Sequence, residues 1–567
     1  MSLTNEDIQL VHSGIKIVAG KCDGAAQLDG SGFNRQDTDF GHNLANLERI
    51  SELQAMMGVK MIRKYHRQLP EEMVVEFDRI LKLIPMDEPK NEIENTLVKQ
   101  EEVINEAEVT LSNGKKIILN EQQVGALKDI KDWLLSKSEL FYTLAGFAGT
   151  GKTTIAKEAV KHLRFGVGVS APTHKAKKVI ARSVGRPANT IQSLLGLQPN
   201  TDLDNFNINK PQFDSLREPA IGDYDLILID EASMLNTDLF TLLIQEAANY
   251  KTKILFMGDP AQLPPVKEDI SQVFVSEKIN RTYQLTKVER QADGNPLMLF
   301  YDAIRNDISS SIDRFEHKTQ VNDKGEGIEF HKDLDPFKAR VIDVFTSGEY
   351  REDKDYAKLL SWTNEQVKAW NKIIRNAIFT EEGKRVLEIG DLLLSYNSVT
   401  GSYGQPLIEN STEFIVKGVR EATNEYHIEG YRVALQDLDG FNVNEEIFIV
   451  KPQLDNYVRF LAEFNDKLAY AKRVKGGAWR EYYHFKERNL LVEDLRDKYK
   501  KLIVKKDFDY GYAITVHKSQ GSTYNTVFVT ENVIDLNPIA EERNKLKYVA
   551  FSRPTKLVVS LSQKTIL

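Results

Sequence analysis

The feature that most constrains this chain is an ungapped G-x-x-x-x-G-K-T run, Gly146 to Thr153, set between the apolar stretch LFYTLA and KTTIAKEAV, which has helical spacing. Strand, glycine-rich turn and helix in that order form a phosphate-binding unit. Glycines let successive backbone N–H groups turn inward toward phosphate oxygens, and the helix N-terminus adds its positive dipole end. In such a unit Lys152 neutralises the outer phosphates and Thr153 places its hydroxyl on Mg²⁺, with Gly149, Thr150, Gly151 and Thr154 completing the loop. The expected ligand is therefore a nucleoside triphosphate, ATP, with Mg²⁺.

A partner for the loop lies downstream in LILIDEAS, an apolar strand that carries Asp230 and Glu231 out at its C-terminal edge. That edge is where doubly wound sheets place ligands. Asp230 suits a role holding Mg²⁺, and Glu231 a role polarising the attacking water. The runs LFYTLA, FGVGVSA, DLILIDEA and KILFMGD alternate with helical patterns up to about residue 258, and a second alternating region runs from about residue 358 to the end. Alternation of this kind predicts α/β architecture with parallel sheets covered by helices on both faces.

At 567 residues the chain exceeds one ordinary domain several-fold. Residues 1–108 differ in texture from the rest. The stretch 22–45 is dense in Gly, Asp and Asn, its aspartates lack calcium-loop spacing, and a helical pattern follows at about 47–65. An acidic segment near 85–106 reads as a linker, and EVTLSNGKKIIL as two strands about an Asn-Gly turn. The expected division is an accessory domain at 1–108, a first α/β domain at 109–290 with a short insert about 201–221, and a second at 291–567. The second is interrupted at about 397–506 by a β-rich and helical insertion.

The net charge of -8 argues against a surface that grips polyanions everywhere, but basic clusters at 173–178 (THKAKK) and 498–506 (KYKKLIVKK) allow a local basic track. Alone, either cluster reads as a solvated helix face. A single cysteine, Cys22, excludes an internal disulfide and fits a reducing compartment. No apolar run approaches the roughly 18 residues of a membrane span, and the N-terminus lacks the pattern of a secretory signal. The expected location is the cytoplasm of a bacterial or phage-infected cell.

MGDPAQLPPV, VHKSQGSTY and YVAFSRPTK, together with the loop and the Asp-Glu strand, resemble the ordered motifs of superfamily 1 helicases, in the RecD-like and Dda-like branch. The resemblance covers about residue 117 to the C-terminus. It implies two RecA-like motor domains, a small β-hairpin in the 201–221 insert and an SH3-like unit in the later insertion. On the nucleotide side it implies that Gln123 reads adenine, that Gln262 senses the γ-phosphate and that Gly521 lines the pocket. Arg290 and Arg553 would reach across the cleft to the transferring phosphoryl group.

For the polynucleotide, the resemblance implies contacts from Thr173, His174, Lys175, Thr190 and Ser193 on the first domain. Trp362, Asn364, Thr515, His517, Lys518 and Ser519 would serve on the second. These are polar and aromatic groups suited to sequence-independent binding. Phe206 or Phe213 in the short insert is the candidate strand-separating wedge, and packing inside a small subdomain is the other reading of either ring. The implied activity is that of an ATP-dependent DNA helicase moving 5′ to 3′ on single-stranded DNA. An RNA helicase and an ATP-switched clamp that does not unwind are the alternatives. Implied partners are single-stranded DNA, duplex junctions and single-strand-binding, replication or recombination proteins, with the chain itself a monomer.

Overall fold

The computed structural model describes residues 4–20, positions scattered between 44 and 70, 71–83, 108–110, 116–163, 166–197, 219–265, 268–288, most of 295–308, 317–379, 385–401, 406–475 and 477–562. Phe206, Phe213, Arg290 and Cys22 lie outside the described residues, as does the Asn-Gly turn. The chain divides into a small N-terminal unit, up to residue 98, and a large unit from residue 99 onward.

In the small unit, helices α1 (Asn5–Gly20) and α2 (Glu71–Leu83) enclose a core that includes Val11, Ile15, Val59, Ile62, Phe77 and Ile80. Close approach is made at Gly14, where a Cβ would lie 2.7 Å from the Phe77 ring. Asp7, almost fully buried, accepts from the Thr4 hydroxyl (2.7 Å) and pairs with Arg79 (2.5 Å), tying the start of α1 to α2. Both partners hold its carboxyl below the ordinary value.

In the large unit a short antiparallel hairpin, 108–110 with 116–118, precedes α3 (Glu121–Leu135). The first sheet then follows: β1 (Phe141–Gly146), β2 (Val167–Ala171), β3 (Ala188–Thr190), β4 (Leu226–Ile229), β5 (Lys253–Gly258) and β6 (Arg281–Leu285), in the order β3-β2-β4-β5-β1-β6 with every pair parallel. Strands β1, β2 and β4 are buried along their whole length, as continuous apolar runs in a sheet covered on both faces should be. Crossovers include α4 (Lys152–Val160), α5 (His174–Val184), α6 (Ile191–Leu194) and α7 (Thr237–Tyr250).

The second sheet uses β7 (Gln320–Val321), β8 (Gly327–His331) and β9 (Ala357–Ser361). The chain then leaves it, through α8 (Leu334–Phe345) after β8 and α9 (Asn364–Ile378) after β9, to build a five-stranded antiparallel unit. That unit is β10 (Leu392–Ser395), β11 (Glu413–Thr423), β12 (Glu429–Asp437), β13 (Ile447–Val450) and β14 (Phe508–Tyr510), in the order β13-β12-β11-β10-β14. Between β13 and β14 come α10 (Leu454–Val474) and α11 (Ala478–Arg488), packed through Phe460, Phe464 and Phe485. The insertion's first strand thus begins before residue 397 and its last ends after 506. The chain returns as β15 (Ala513–Thr515), β16 (Tyr524–Val529), α12 (Ala540–Phe551) and β17 (Pro554–Leu561), completing the order β15-β9-β16-β17-β8-β7. All of its pairings are parallel except β7 with β8. Among the described residues no helix is long and apolar enough to cross a membrane.

Candidate nucleotide site and its second-domain cover

The glycine run lies at the C-terminal end of β1 and opens α4, as its sequence predicts. Gly149 and Gly151 take φ of +82° and +89°, conformations that an L side chain adopts only with strain. A Cβ at Gly151 would also stand 2.7 Å from Gln123 Nε2, so the position excludes a side chain twice over. Helix α4 has no acidic residue in its first turn, which leaves its dipole open to an anion. Lys152 Nζ donates to the Gly146 and Phe147 carbonyls at 2.6 and 3.1 Å, lying over the loop, while Thr153 and Thr154 are partly exposed at its rim.

Gln123 is buried, with both ends of its amide hydrogen-bonded. Its Oε1 accepts from Asn120 N (3.0 Å), closing a capping box at α3, and its Nε2 donates to the Thr150 carbonyl (3.0 Å). Here the residue positions the phosphate loop. Thr150 Oγ1 in turn donates to the Phe147 carbonyl (2.9 Å).

Asp230 and Glu231 follow β4 directly and line the same cleft, partly accessible. Asp230 Oδ1 accepts from Glu231 N (2.9 Å), and Glu231 takes φ of +52°. Burial pushes the Glu231 carboxyl up to about 7, with the charges of Asp230 and Asp259 adding to the rise and those of Arg553 and Lys152 opposing it. Burial also raises Asp230, against its hydrogen bond from Glu231 N and the charge of Lys152. A carboxyl near 7 is poised for proton transfer at neutral pH.

The second domain closes directly over this cleft. Tyr548, on α12, donates to Asp259 Oδ2 (2.8 Å), and Asp259 Oδ2 also accepts from Ala148 N in the loop (3.0 Å). A Cβ at Gly521, where φ is +71°, would lie 3.0 Å from Ala176 Cβ and 3.6 Å from Glu231 Cγ. Arg553 is buried beside it. Its guanidinium donates to the Val549 carbonyl (3.0 Å) and the Ser552 hydroxyl (3.0 Å), and its charge is felt at Glu231. Gln262 is also buried, and among the described residues its Oε1 has no hydrogen-bond partner. Side-chain-free glycines, an open helix dipole, a lysine and an orphaned amide oxygen fit a nucleoside triphosphate. Thr153 and Asp230 would hold its Mg²⁺, which supplies charge neutralisation on the phosphates when bound.

The residues expected on the polynucleotide fall into three groups. Thr173 and Thr190 are N-caps, their hydroxyl oxygens accepting from Ala176 N (3.1 Å) and Ser193 N (3.2 Å), which leaves each O–H able to donate outward. Ser193 and Asn364 are exposed at helix starts, and Trp362 is half-buried against the second domain's core. In the 515–519 segment Thr515 and His517 are partly exposed and Lys518 stacks on Tyr396, whereas Ser519 is fully buried and donates to the Val516 carbonyl (2.7 Å).

His174 and Lys175 form the third group, and they face carboxylates of the later part of the chain. Lys175 Nζ lies 3.0 Å from Glu413 and 3.3 Å from Asp355, over the Tyr524 ring. Glu413, buried at the start of β11, also pairs with the fully buried Lys358 of β9. Burial alone would raise the Glu413 carboxyl, but the two ammonium groups hold it down at about 2. His174 Nδ1 comes within 2.8 Å of Glu409 without the alignment of a hydrogen bond, and Lys177 pairs with Glu409 at 2.9 Å. Lys178 pairs with Asp437 (2.9 Å) and Asp439 (2.8 Å). No local pattern announces Glu413 as the partner of Lys175, 238 positions away, and although Asp259 and Tyr548 lie within MGDPAQLPPV and YVAFSRPTK, nothing local pairs them across 289 positions.

Two family models match the chain in order, an AAA domain over residues 118–326 and a UvrD-like helicase C-terminal domain over 510–559. The chain is 24% identical over 439 residues to the ATP-dependent DNA helicase dda of Enterobacteria phage T4, covering 72% of this chain and 92% of the relative. It is 33% identical over 183 residues to the ATP-dependent RecD2 DNA helicase of Deinococcus radiodurans, covering 32% of this chain and 23% of that one. The crystal structure of Pif1 helicase from Candida albicans superposes with a TM-score of 0.43 at 18% identity, over 79% of this chain and 95% of that one. Both family models lie in sequence order with their motifs gathered round one cleft, and together with these relatives they support a superfamily 1 helicase of the Pif1/RecD-like kind.

Proposed function

We propose that the protein is an ATP-dependent DNA helicase that translocates 5′ to 3′ on single-stranded DNA, with hydrolysis at the cleft between its two sheets driving strand separation. The observation that carries this reading is that Asp259 receives both the loop N–H of Ala148 and the hydroxyl of Tyr548 from the second domain. A nucleotide at Lys152 would therefore be felt at once by both domains. A ligand whose contacts differ between open and closed forms shifts that equilibrium, which is what a stepping motor requires. In this reading Lys152 holds phosphate, Glu231 takes a proton from the attacking water, and Gln262 reports the γ-phosphate. Arg553 spreads positive charge over the transferring group, with Arg290 as a second arginine. The T4 and Deinococcus relatives are ATP-dependent DNA helicases, which supports DNA over RNA as the track.

The test is unwinding of duplexes bearing a 5′ or a 3′ single-stranded tail, with ATPase stimulation by DNA and RNA homopolymers measured alongside. Release of a strand from the 5′-tailed duplex alone, abolished in Lys152→Ala, is the expected result. Release only from the 3′-tailed duplex would overturn the polarity. Stimulated ATPase without strand release would favour the clamp, and stimulation by RNA alone would move the track to RNA.

A further inference from the structure

The second lysine cluster of the sequence, 498–506, belongs to none of the roles above. It lies on a small antiparallel hairpin, Leu495–Arg496 with Leu502–Val504, that projects from the antiparallel β unit. Leu495 and Val504 are buried with Phe448, Val450 and Phe460, which anchors its base. Its turn is pinned by Asp497, whose Oδ1 accepts from Tyr499 N (2.8 Å) and Lys501 N (2.9 Å) while Lys500 takes φ of +63°.

The nearby carboxylates have local tasks, Glu493 accepting from the Tyr457 hydroxyl (3.2 Å). Asp497 holds the turn. Asp494 accepts from Arg496 (3.1 Å) and Lys506 N (3.1 Å), and Asp509 pairs with Lys506. Asp507 is buried and accepts from Leu491 N (2.9 Å) and Asn397 (2.7 Å). Lys498, Lys500, Lys501 and Lys505 are exposed, and among the described residues they make no ion pair. At the tip, Tyr499 is 78% exposed with Lys498 Nζ 5.0 Å from its ring centre. At the base, Lys505 and Lys506 approach the Tyr396 ring at 5.6 and 5.2 Å, and Lys518 lies 3.2 Å from the same ring centre. Basic and aromatic groups are therefore gathered at both ends of the hairpin, around Tyr396 at its base beside Lys518 and around Tyr499 at its tip.

Resting on the proposed polynucleotide track at 515–519, we propose that the 495–506 hairpin and Tyr396 continue that track as a further single-strand contact. Lys500, Lys501 and Lys505 meet phosphates, and Tyr499 stacks a base. Exposed unpaired ammoniums beside aromatic faces are the groups that hold single strands without reading sequence. The turn is already held by Asp497 and the base by buried Leu495 and Val504, so less backbone ordering need accompany binding.

The experiment is binding of a dye-labelled oligothymidylate across a salt series, with DNA-stimulated ATPase measured in parallel. Each phosphate contact contributes roughly 0.7 to the slope of log affinity against log salt. The triple variant Lys500→Ala/Lys501→Ala/Lys505→Ala should lose about 2 from that slope and about tenfold in affinity at low salt. The corresponding triple arginine variant should bind as the wild type does. Tyr499→Ala should lose about fivefold or more in affinity with the slope unchanged. An unchanged slope in the triple alanine variant, with wild-type ATPase still stimulated by DNA, overturns this contact and leaves the parent reading standing. A slope change confined to blunt duplex also overturns it. Absence of any DNA stimulation in the wild type overturns the parent reading together with the contact.

Discussion

The two parallel sheets place a strand in the same position, fifth in the order, and follow it with a helix, yet only one of these junctions can hold phosphate. After β1 the chain makes a turn with glycines at 146, 149 and 151, and α4 begins with Lys152 and no acid in its first turn. After β8 the turn runs Lys332-Asp333-Leu334-Asp335, and α8 carries its own Asp335 in the first turn. That carboxylate already answers the helix dipole and would repel a phosphate. Shared topology thus fixes where a ligand could bind, while the side chains at the helix start decide whether one does. The second sheet contributes instead by reaching outward, through Tyr548, Gly521 and Arg553, to a ligand held by the first.

The sharpest way to break this division of labour is Arg553→Ala. If the second domain supplies charge to the transferring group, turnover should fall by about a thousandfold, the lower end of arginine-finger effects, with ATP affinity within a few-fold of wild type. Single-turnover hydrolysis beside equilibrium nucleotide binding checks this. Hydrolysis left intact would return all the chemistry to the first sheet.

Next in size is Glu413→Gln, which leaves Lys175 and Lys358 facing a neutral amide across the contact between the two sheet domains. Breaking a buried pair in this way costs about 3–5 kcal/mol. Glu413 is held at about 2, below its ordinary 4.5, so its contribution is present in full above pH 4.5 and is lost as pH falls toward 2. Wild type should therefore melt well above the variant at pH 7, and the gap should narrow between pH 4.5 and pH 3. A constant gap would mean that Glu413 contributes by packing alone.

What the sequence discloses here divides along similar lines. The buried strands of the first sheet are legible because a strand covered on both faces needs an unbroken apolar run, and LFYTLA and LILI supply it. The phosphate loop is legible because positive φ at 149 and 151 strains an L side chain, and at 151 a Cβ would also crowd the buried Gln123 amide. Thr173, Thr190 and Gln123 carry groups suited to a ligand, yet in the structure each also performs a local backbone task. Their spacing to Ala176, Ser193 and Asn120 is that of N-caps and a capping box, a signal available from the start. The two lysine clusters look alike in composition, but 175–178 is matched by carboxylates more than 170 positions away, and 498–505 is not. Only three-dimensional proximity separates them.

The smallest expected effect tests the same comparison most finely. Tyr548→Phe removes one hydroxyl, the one that links α12 of the second domain to Asp259. Asp259 keeps Ala148 N (3.0 Å) and Ala261 N (2.9 Å), so no buried acceptor is orphaned and the phosphate loop should hold its shape. The loss falls on the contact between domains alone, at about 1 kcal/mol, or roughly fivefold in the balance between open and closed forms. A group that biases closure should raise KM for ATP several-fold on saturating single-stranded DNA while leaving the melting temperature within a degree or two. A lowered melting temperature with unchanged KM would make the hydroxyl a packing detail. The cover over the nucleotide would then rest on Gly521 and Arg553, with α12 serving only to support them.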